Sequence, residues 1–231
     1  MKRFYADVAV EPCEGGWRVL LDTRPMKTQL GAAQVVPSER LAEALAEEWR
    51  AQGEEIDPAS FPLRDMADFA IDMVRPDRAG TIAKLLAFAE TDTLCYRADP
   101  DEPLYRRQHE VWEPLVTALE AREGIRIERV SGIVHRPQTG ETLAALRERL
   151  ETMDDFTLAA LQAMASLAAS LCIGLAALEA DADGVALWDA ANLEELWQAE
   201  LWGADKEAEA RREQRKGEFL AAARFAELAK V

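Results

Sequence analysis

The segment PSERLAEALAEEWRAQG, Pro37–Gly53, marks the point where the chain changes from strand-like to helical patterning. Ser38 is a suitable N-cap, because its hydroxyl can accept a hydrogen bond from a free N–H group of the first helical turn. Gly53 is typical of a helix C-terminus, since glycine tolerates the left-handed conformation found there. Four residues recur at helical spacing and predict a single helical face: Leu41, Leu45, Glu48 and Trp49.

The residues before this helix alternate with period two, as half-buried strands do. The alternation runs through RFYADVAV (Arg3–Val10), where apolar positions begin at Phe4, and through WRVLLD (Trp17–Asp22). Gly15 and Gly16 suit a tight reversal between the two strands. A further turn and two short strand-like pieces follow at Asp22–Pro25, Met26–Gln29 and Gln34–Val36. We therefore predict an α+β domain over residues 1–58, in which a helix covers a small antiparallel sheet.

Helical periodicity predominates after the proline-containing stretch IDPASFPL and predicts a mainly α-helical, orthogonal bundle-like domain over residues 59–231. Helices are expected near Arg64–Val74, Ala79–Ala89, Pro103–Ala121, Glu141–Glu151, Phe156–Ala180, Val185–Trp202 and Lys206–Ala229. Two strand-like interruptions, TDTLCYR (Thr91–Arg97) and IRIERVSGIV (Ile125–Val134), have no assigned partners. The fold class is α+β, with the sheet at the N-terminus and the helices after it.

The stretch LAALQAMASLAASLCIGLAAL, Leu158–Leu178, is long enough to cross a bilayer. Alanine supplies much of its apolar character, and acids flank both ends without a basic anchor. Small or weakly polar residues recur at every fourth position and would let another helix approach closely: Gln162, Ser166, Ser170 and Gly174. These features favour a buried helix of a bundle over a stable membrane insertion.

The formal net charge of −16 makes nucleic acid and anionic lipid unfavourable partners, because both are themselves negatively charged. The three cysteines, Cys13, Cys95 and Cys172, are widely spaced and form no CxxC pair, which favours a reducing compartment over a disulfide framework. The N-terminal residues MKRFYADVAV lack the apolar core of a secretory signal. We expect a cytoplasmic or already mature protein.

The sequence contains few signatures of catalysis or metal binding. It has no GxxxxGK[ST] phosphate loop, no GxSxG elbow and no HExxH motif. Its two histidines, His109 and His135, are far apart in sequence, and a metal site would need carboxylates from elsewhere. Adjacent acid pairs such as Asp154-Asp155 point in different directions on a helix, so capping of the apolar helix is the favoured role for one of them. Because the two histidines are far apart and no metal-binding motif is present, we predict no metal site.

The segment LEELWQAELWGAD, Leu193–Asp205, combines tryptophan with carboxylates. At 100° per residue, one side collects a predicted core stripe consisting of Leu193, Leu196, Trp197 and Leu201. The opposite side carries Glu194, Glu195, Gln198 and Trp202. An indole among polar groups is typical of a protein-interface anchor, since it buries a large area and keeps one donor. Cover by another part of the chain is an equal alternative for Trp202.

Several blocks, in this order and spacing, resemble the assembly chaperone family that handles the α subunit of the ATP synthase catalytic head (the F-one sector). They are Arg3–Tyr5, Gly16–Thr28, Leu41–Pro58, Thr91–Ala98, Gln108 with Trp112–Leu115, and Leu196–Asp205. The blocks EEWRAQG and WQAELWG are the most specific, and together the blocks span nearly the whole chain. The family often has glycine where Thr23 stands, and commonly Asp-Glu where Glu194-Glu195 stand.

The resemblance implies a non-enzymatic chaperone that needs no nucleotide or other cofactor. It implies binding of the new α subunit and shielding of the surface that later faces the β subunit. The family's sensitive acid maps onto Glu194 or Glu195, and its sensitive tryptophan in the EEW block maps onto Trp49. Bacterial members are expected in the cytoplasm and eukaryotic relatives in the mitochondrial matrix.

Each of these roles has an alternative. Trp49 shares a face with Leu41 and Leu45, so the pattern favours core packing over direct contact with a client. A carboxylate pair beside a tryptophan platform is also found in carbohydrate-active enzymes, which would require two acids converging in a cleft. A general interaction scaffold with another client is the third alternative.

Overall fold

Three antiparallel strands form the first part of this computed structural model, which describes residues 1–132, 134–203 and 205–231. The strands β1 (Val8–Cys13), β2 (Gly16–Leu21) and β3 (Arg24–Pro25) lie in the order β1-β2-β3. Val8 pairs with Leu21 at one end of the hairpin, and Cys13 pairs with Gly16 at the other. A Cβ atom at Gly16 would lie 2.2 Å from the Val36 carbonyl oxygen, so glycine is required at this reversal.

The predicted strand at Arg3–Val10 is wrong in its first half. The Arg3 N–H donates to the Glu54 carbonyl oxygen, and the Ile56 N–H donates to the Met1 carbonyl oxygen. Residues 3–7 therefore lie outside the paired strands β1 and β2. Period two does not apply there, and Phe4 is 56% exposed whereas Tyr5 is buried. The expected pieces at Met26–Gln29 and Gln34–Val36 form only isolated bridges, Lys27 with Ala33 and Val36 with Trp17.

The helix α1 (Glu39–Arg50) covers the sheet, as predicted. The Ser38 hydroxyl accepts from the Leu41 N–H at 3.1 Å, which confirms the N-cap. Leu41, Leu45 and Trp49 are buried on the face that meets β1 and β2. The helix ends at Arg50 rather than at Gly53. Burial of this apolar face supplies the main favourable term that holds α1 to the sheet.

The remaining helices confirm a mainly helical second part of the chain. They are α2 (Pro62–Phe69), α3 (Arg78–Glu90), α4 (Pro103–Glu123), α5 (Gly140–Glu151), α6 (Asp155–Ala168), α7 (Leu171–Ala176), α8 (Gly184–Ala191), α9 (Leu193–Trp202) and α10 (Lys206–Ala229). The helix predicted at Arg64–Val74 is α2 followed by a π-helical turn, Ala70–Val74. Asp154 caps α6 by accepting from the N–H groups of Phe156 and Thr157.

The single helix predicted at Phe156–Ala180 is wrong, because the chain breaks between α6 and α7. Ala169 has a φ of 49°, which is incompatible with a continuous right-handed α-helix. Ser170 then caps α7 through a bond from the Ile173 N–H at 3.0 Å. The Asp92 carboxylate accepts from the Ser170 hydroxyl at 2.7 Å and from the Cys172 N–H at 2.9 Å. Distant polar partners therefore stabilise a break that helical periodicity did not reveal.

One member of the small-residue stripe lies at the contact between the two halves of this segment. A Cβ atom at Gly174 of α7 would lie 2.8 Å from a Leu161 methyl of α6, so the two helices pack closely at this glycine. Ser166 is exposed and Ser170 is buried, which shows that the four stripe residues do not share one continuous face. Among residues 1–132, 134–203 and 205–231, no helix combines the length and apolar character needed to span a bilayer.

The single helix predicted at Val185–Trp202 is also wrong, since Asn192 separates α8 from α9. Asn192 has a φ of −104° and a ψ of 17°, and its side-chain amide donates to the Trp188 carbonyl oxygen at 2.8 Å. Asparagine side chains compete with the helical backbone for hydrogen bonds in this way. Asn192 therefore interrupts the helix immediately before the acidic residues of α9.

The two strand-like interruptions pair with each other. The strands β4 (Tyr96–Arg97) and β5 (Val130–Ser131) are parallel, with Tyr96 opposite Val130. Ile133 of the second interruption lies outside the described residues. Parallel pairing joins segments distant in sequence, which explains why local patterning did not identify the partners.

The chain forms two compact units, each built from separate stretches. The first contains residues 1–78, 154–160 and 224–231, and the second contains residues 79–153 and 161–223. Trp49, Phe61 and Phe156 are buried in the first unit, and Trp112 and Trp188 in the second. A domain boundary after Pro58 stays a prediction.

Candidate functional site

The helix α9 presents the polar face that the sequence singled out. Glu194, Gln198 and Trp202 lie on successive turns, and all three are exposed, as is Glu195. Trp202 is 77% exposed at the last position of the helix, before Gly203 with a φ of 92°. Large exposed apolar side chains beside polar groups are typical of protein-binding surfaces. Ala204, which belongs to the family-like block Leu196–Asp205, lies outside the described residues.

The predicted core stripe of α9 is only partly buried. Leu193 is 5% exposed, whereas Leu201 is 57% exposed. Leu196 and Trp197 are half-buried, so the expected burial of Trp197 and Leu201 is wrong. Leu193, Leu196 and Trp197 border an open groove between α4, α8 and α9 instead of a closed core. Helical spacing specifies which residues share a face, but the neighbouring elements decide whether that face is covered.

The two glutamates of α9 have different partners. The Glu194 carboxylate accepts from the Gln108 side-chain amide N–H at 2.6 Å, and the Gln108 side-chain oxygen Oε1 accepts from the Ala98 N–H at 2.8 Å. Glu195 instead forms a 3.0 Å ion pair with Arg212 of α10. A neutral amide donor therefore sets the position of Glu194, whereas the partner of Glu195 is a cation.

The helix α4 holds the chain on both sides of the bend at Asn192. Trp112 is fully buried, and its indole N–H donates to the Ala190 carbonyl oxygen at 2.7 Å. Gln108, also fully buried, bonds to Glu194 just after the bend. The role of Gln108 was not predicted from the sequence. Its position four residues before Trp112, on the same helical face, was a usable signal.

Trp49 lies in the core of the first unit. It is 4% exposed, its ring centroid is 4.5 Å from that of Phe61, and Tyr5 meets it edge-on at 5.6 Å. The Tyr5 hydroxyl also donates to the Trp49 backbone carbonyl at 2.6 Å. These contacts make Trp49 a packing residue that ties the N-terminal segment to α1.

Glu48 has a structural role in capping the start of α2, which periodicity did not predict. Its carboxylate accepts from the backbone N–H groups of Leu63 at 2.8 Å and Arg64 at 2.9 Å, which lie in the first turn of α2. Burial raises the pKa of Glu48, while the two amide bonds oppose that rise. The EEW block therefore caps one helix with its second glutamate and packs the core with its tryptophan.

A charged cleft in the second unit bears on the enzymatic alternative. Glu113 contacts Arg97 at 2.7 Å and Arg129 at 2.9 Å, and Arg129 also pairs with Glu120. Burial opposes ionisation of both glutamates, yet the arginines hold the pKa of each below its ordinary value. A carboxyl group that stays ionised at neutral pH is a poor general acid, so this cleft does not suit glycosidic chemistry.

The histidines take part in local contacts. His109 stacks on Tyr105 with ring centroids 6.1 Å apart, and the His135 Nδ1 lies 2.7 Å from the Tyr96 hydroxyl. In the part of the chain that the structure describes, no three His, Cys, Asp or Glu side chains cluster as metal ligands would.

Comparisons with known proteins agree with the resemblance seen in the sequence. A family model described as "ATP12 chaperone protein" matches residues 2–120. The mitochondrial protein atp12 of Schizosaccharomyces pombe is 26% identical over 219 residues, which cover 90% of this chain and 75% of that protein.

Two solved structures extend the similarity over the whole chain, including α9. The crystal structure of Atp12 from Paracoccus denitrificans is 38% identical, with a TM-score of 0.94 and coverage of 99% of this chain and 98% of that chain. The Atu1473 protein of Agrobacterium tumefaciens is also 38% identical with a TM-score of 0.94, over 99% of this chain and 86% of that chain.

Proposed function

This chain belongs to the ATP12 chaperone family, whose members assist ATP synthase assembly, and on that basis we propose that it binds the unassembled α subunit of the catalytic head. It shields the surface of the α subunit that later faces the β subunit, and it releases the α subunit when that partner arrives. The activity is non-covalent and uses no nucleotide, metal or other cofactor. The bacterial structural relatives support action in the cytoplasm, and the S. pombe relative supports a mitochondrial location for eukaryotic members.

The observation that carries the proposal is the exposed tryptophan at the end of α9, in a face that also holds three polar residues. Trp202 is 77% exposed, and Glu194, Glu195 and Gln198 are exposed on the same helix. An indole supplies a large contact area, and nearby carboxylates favour a partner with basic groups or free backbone N–H groups. A partly polar surface also suits a client that must later leave.

We assign the main electrostatic contact to Glu194 and a secondary one to Glu195. Gln108 holds Glu194 in place without neutralising it, so little ordering is required when a client binds. Glu195 must first exchange its ion pair with Arg212, whose side chain is 18% exposed. That exchange reduces the gain from any new contact.

The test measures suppression of α-subunit aggregation and the Kd for the purified α subunit. We expect Glu194→Lys to weaken binding by about tenfold or more, and Glu195→Lys to weaken it less. Glu194→Gln separates charge from size, and Glu148→Lys on the exposed face of α5 is the matched control. If both single variants and the double variant fold normally and protect the α subunit like the wild type, the acidic-face assignment is wrong.

A further inference from the structure

An open apolar groove lies between α4 on one side and α8 and α9 on the other. It consists of two adjoining cavities of about 310 and 350 Å³. Val111, Ala186 and Ala190 line both cavities, so the two are parts of one continuous depression. The whole groove lies within the second unit.

The groove has small residues between its two ends and larger apolar residues at each end. Ala186 is exposed and Ala190 is buried, and neither side chain extends far enough to fill the space. One end is bordered by Leu196 and Trp197, and the other by Leu115. Small residues between larger ones let a helix backbone approach closely while its apolar side chains fill the ends.

The rim of the groove carries acidic residues. Asp189 and Glu200 line the depression and form no ion pair within residues 1–132, 134–203 and 205–231. Arg107 is the basic residue on the opposite wall. A segment that occupies the groove therefore gains most if it places basic residues beside α8 and α9.

We propose that this groove binds an amphipathic helix of the client, with apolar residues on one face and lysine or arginine along one edge. The inference rests on the proposed function and identifies the kind of α-subunit segment that is held. The walls of the groove are helix faces, which contact the side chains of a bound helix. A strand edge would instead pair with the backbone of an extended segment. Trp197 and Glu200 belong to the same helix as Glu194 and Trp202, so one client can engage both surfaces.

The first experiment measures the Kd for the purified α subunit with the groove filled. Ala186→Trp places an indole at the residue shared by both cavities, and we expect the Kd to rise about tenfold or more. Ala144→Trp, at an exposed position of α5 that lines neither cavity, is the matched control and leaves the Kd unchanged. The combined change Asp189→Lys and Glu200→Lys weakens binding, whereas Glu148→Lys does not.

The second experiment identifies the bound segment. A photo-reactive benzoylphenylalanine replaces Trp197, an aromatic residue at one end of the groove, so that the groove stays open. It is cross-linked to the α subunit, and the attached peptide is sequenced. An apolar segment with helical spacing and flanking basic residues supports the inference, whereas an acidic or unpatterned peptide overturns it.

The outcomes separate this inference from the proposed function. Loss of binding in Glu194→Lys with an unchanged Kd in Ala186→Trp refutes the groove and leaves the function standing. Failure of the wild-type protein to bind the α subunit refutes both.

Discussion

The EEW block illustrates how neighbouring residues of one helix act on different parts of the fold. Trp49 faces Tyr5 and Phe61 in the core, while Glu48 reaches the first turn of α2. The four N–H groups at a helix start have no partners within the helix, and Glu48 satisfies two of them from another helix. We therefore expect substitutions in this block to act by lowering the stability of the fold.

Replacement of Trp49 by alanine removes a buried indole and leaves a cavity. We expect Trp49→Ala to lower the free energy of unfolding by about 3–5 kcal/mol, as for other large core truncations. Denaturant unfolding measures this change, with exposed Trp202→Ala as the matched control that shifts stability by less than about 0.5 kcal/mol. An unchanged midpoint for Trp49→Ala would contradict the packing role.

The pH dependence of Glu48 follows from its burial. Burial raises the pKa of Glu48 in the folded state. The stabilisation of the fold that follows from this raised pKa is complete below the unfolded-state pKa, and it declines as pH rises through the folded-state pKa. We therefore expect the stability advantage of the wild type over Glu48→Gln to shrink between mildly acidic and neutral pH. Unfolding titrations across the range in which both proteins fold measure it. A gap that widens with pH would mean that the two amide bonds dominate.

Some helices of the second unit end where side chains from distant parts of the chain form hydrogen bonds near the helix end. Asp92 is fully buried and accepts bonds from Leu94, Ser170 and Cys172, which ties a short turn to the start of α7. On the two sides of Asn192, the Trp112 indole N–H donates to the Ala190 carbonyl oxygen, and the Gln108 side-chain amide donates to the Glu194 carboxylate. These elements are short because their partners, more than their intrinsic propensities, specify where they end.

The break between α6 and α7 carries backbone strain that glycine would relieve. Ala169 is exposed at a φ of 49°, a conformation that costs an L-residue about 1–2 kcal/mol. Glycine loses about 0.4–1 kcal/mol through greater freedom in the unfolded chain, so Ala169→Gly is expected to stabilise the protein by about 0.5–1 kcal/mol. Ala163→Gly within α6 is the control and destabilises by about 1 kcal/mol. Thermal unfolding of both variants distinguishes them, and destabilisation by Ala169→Gly would contradict the strain.

The charge of the whole molecule complements the proposed contacts of α9 and the groove. The formal net charge is −16, and Asp189 and Glu200 add unpaired acids beside apolar surface within the described residues. Such a surface attracts a basic client over a distance set by the salt concentration. Long-range attraction increases the association rate, whereas the apolar contacts determine how long the complex lasts.

Salt therefore slows the proposed encounter with the α subunit. We expect the association rate constant to fall by about tenfold between about 0.05 M and about 0.5 M salt, with a smaller change in the dissociation rate. Stopped-flow or surface-binding kinetics measure both rates. A rate constant that is independent of salt would show that the acidic surface does not guide the client.

Period-two alternation and the glycine pair were sufficient to predict the β1–β2 hairpin, and the stripe of Leu41, Leu45 and Trp49 predicted the covering helix. Both signals are local, since each depends on residues that are neighbours in one element. The face that carries Glu194, Gln198 and Trp202 was predictable for the same reason. The family blocks were readable from the sequence as well, because residue identities at fixed spacings are properties of the chain alone.

The sequence by itself thus determined the fold class, the covering helix, the polar face of α9 and the family. Only the tertiary structure decided that two long helical patterns break at Ala169 and Asn192, because the groups that stabilise the α6–α7 break come from distant segments. It likewise decided that the apolar side of α9 borders an open groove and that Glu194 and Glu195 have different partners. Burial and hydrogen bonding depend on which surfaces meet, and periodicity within one element carries no information about its neighbours.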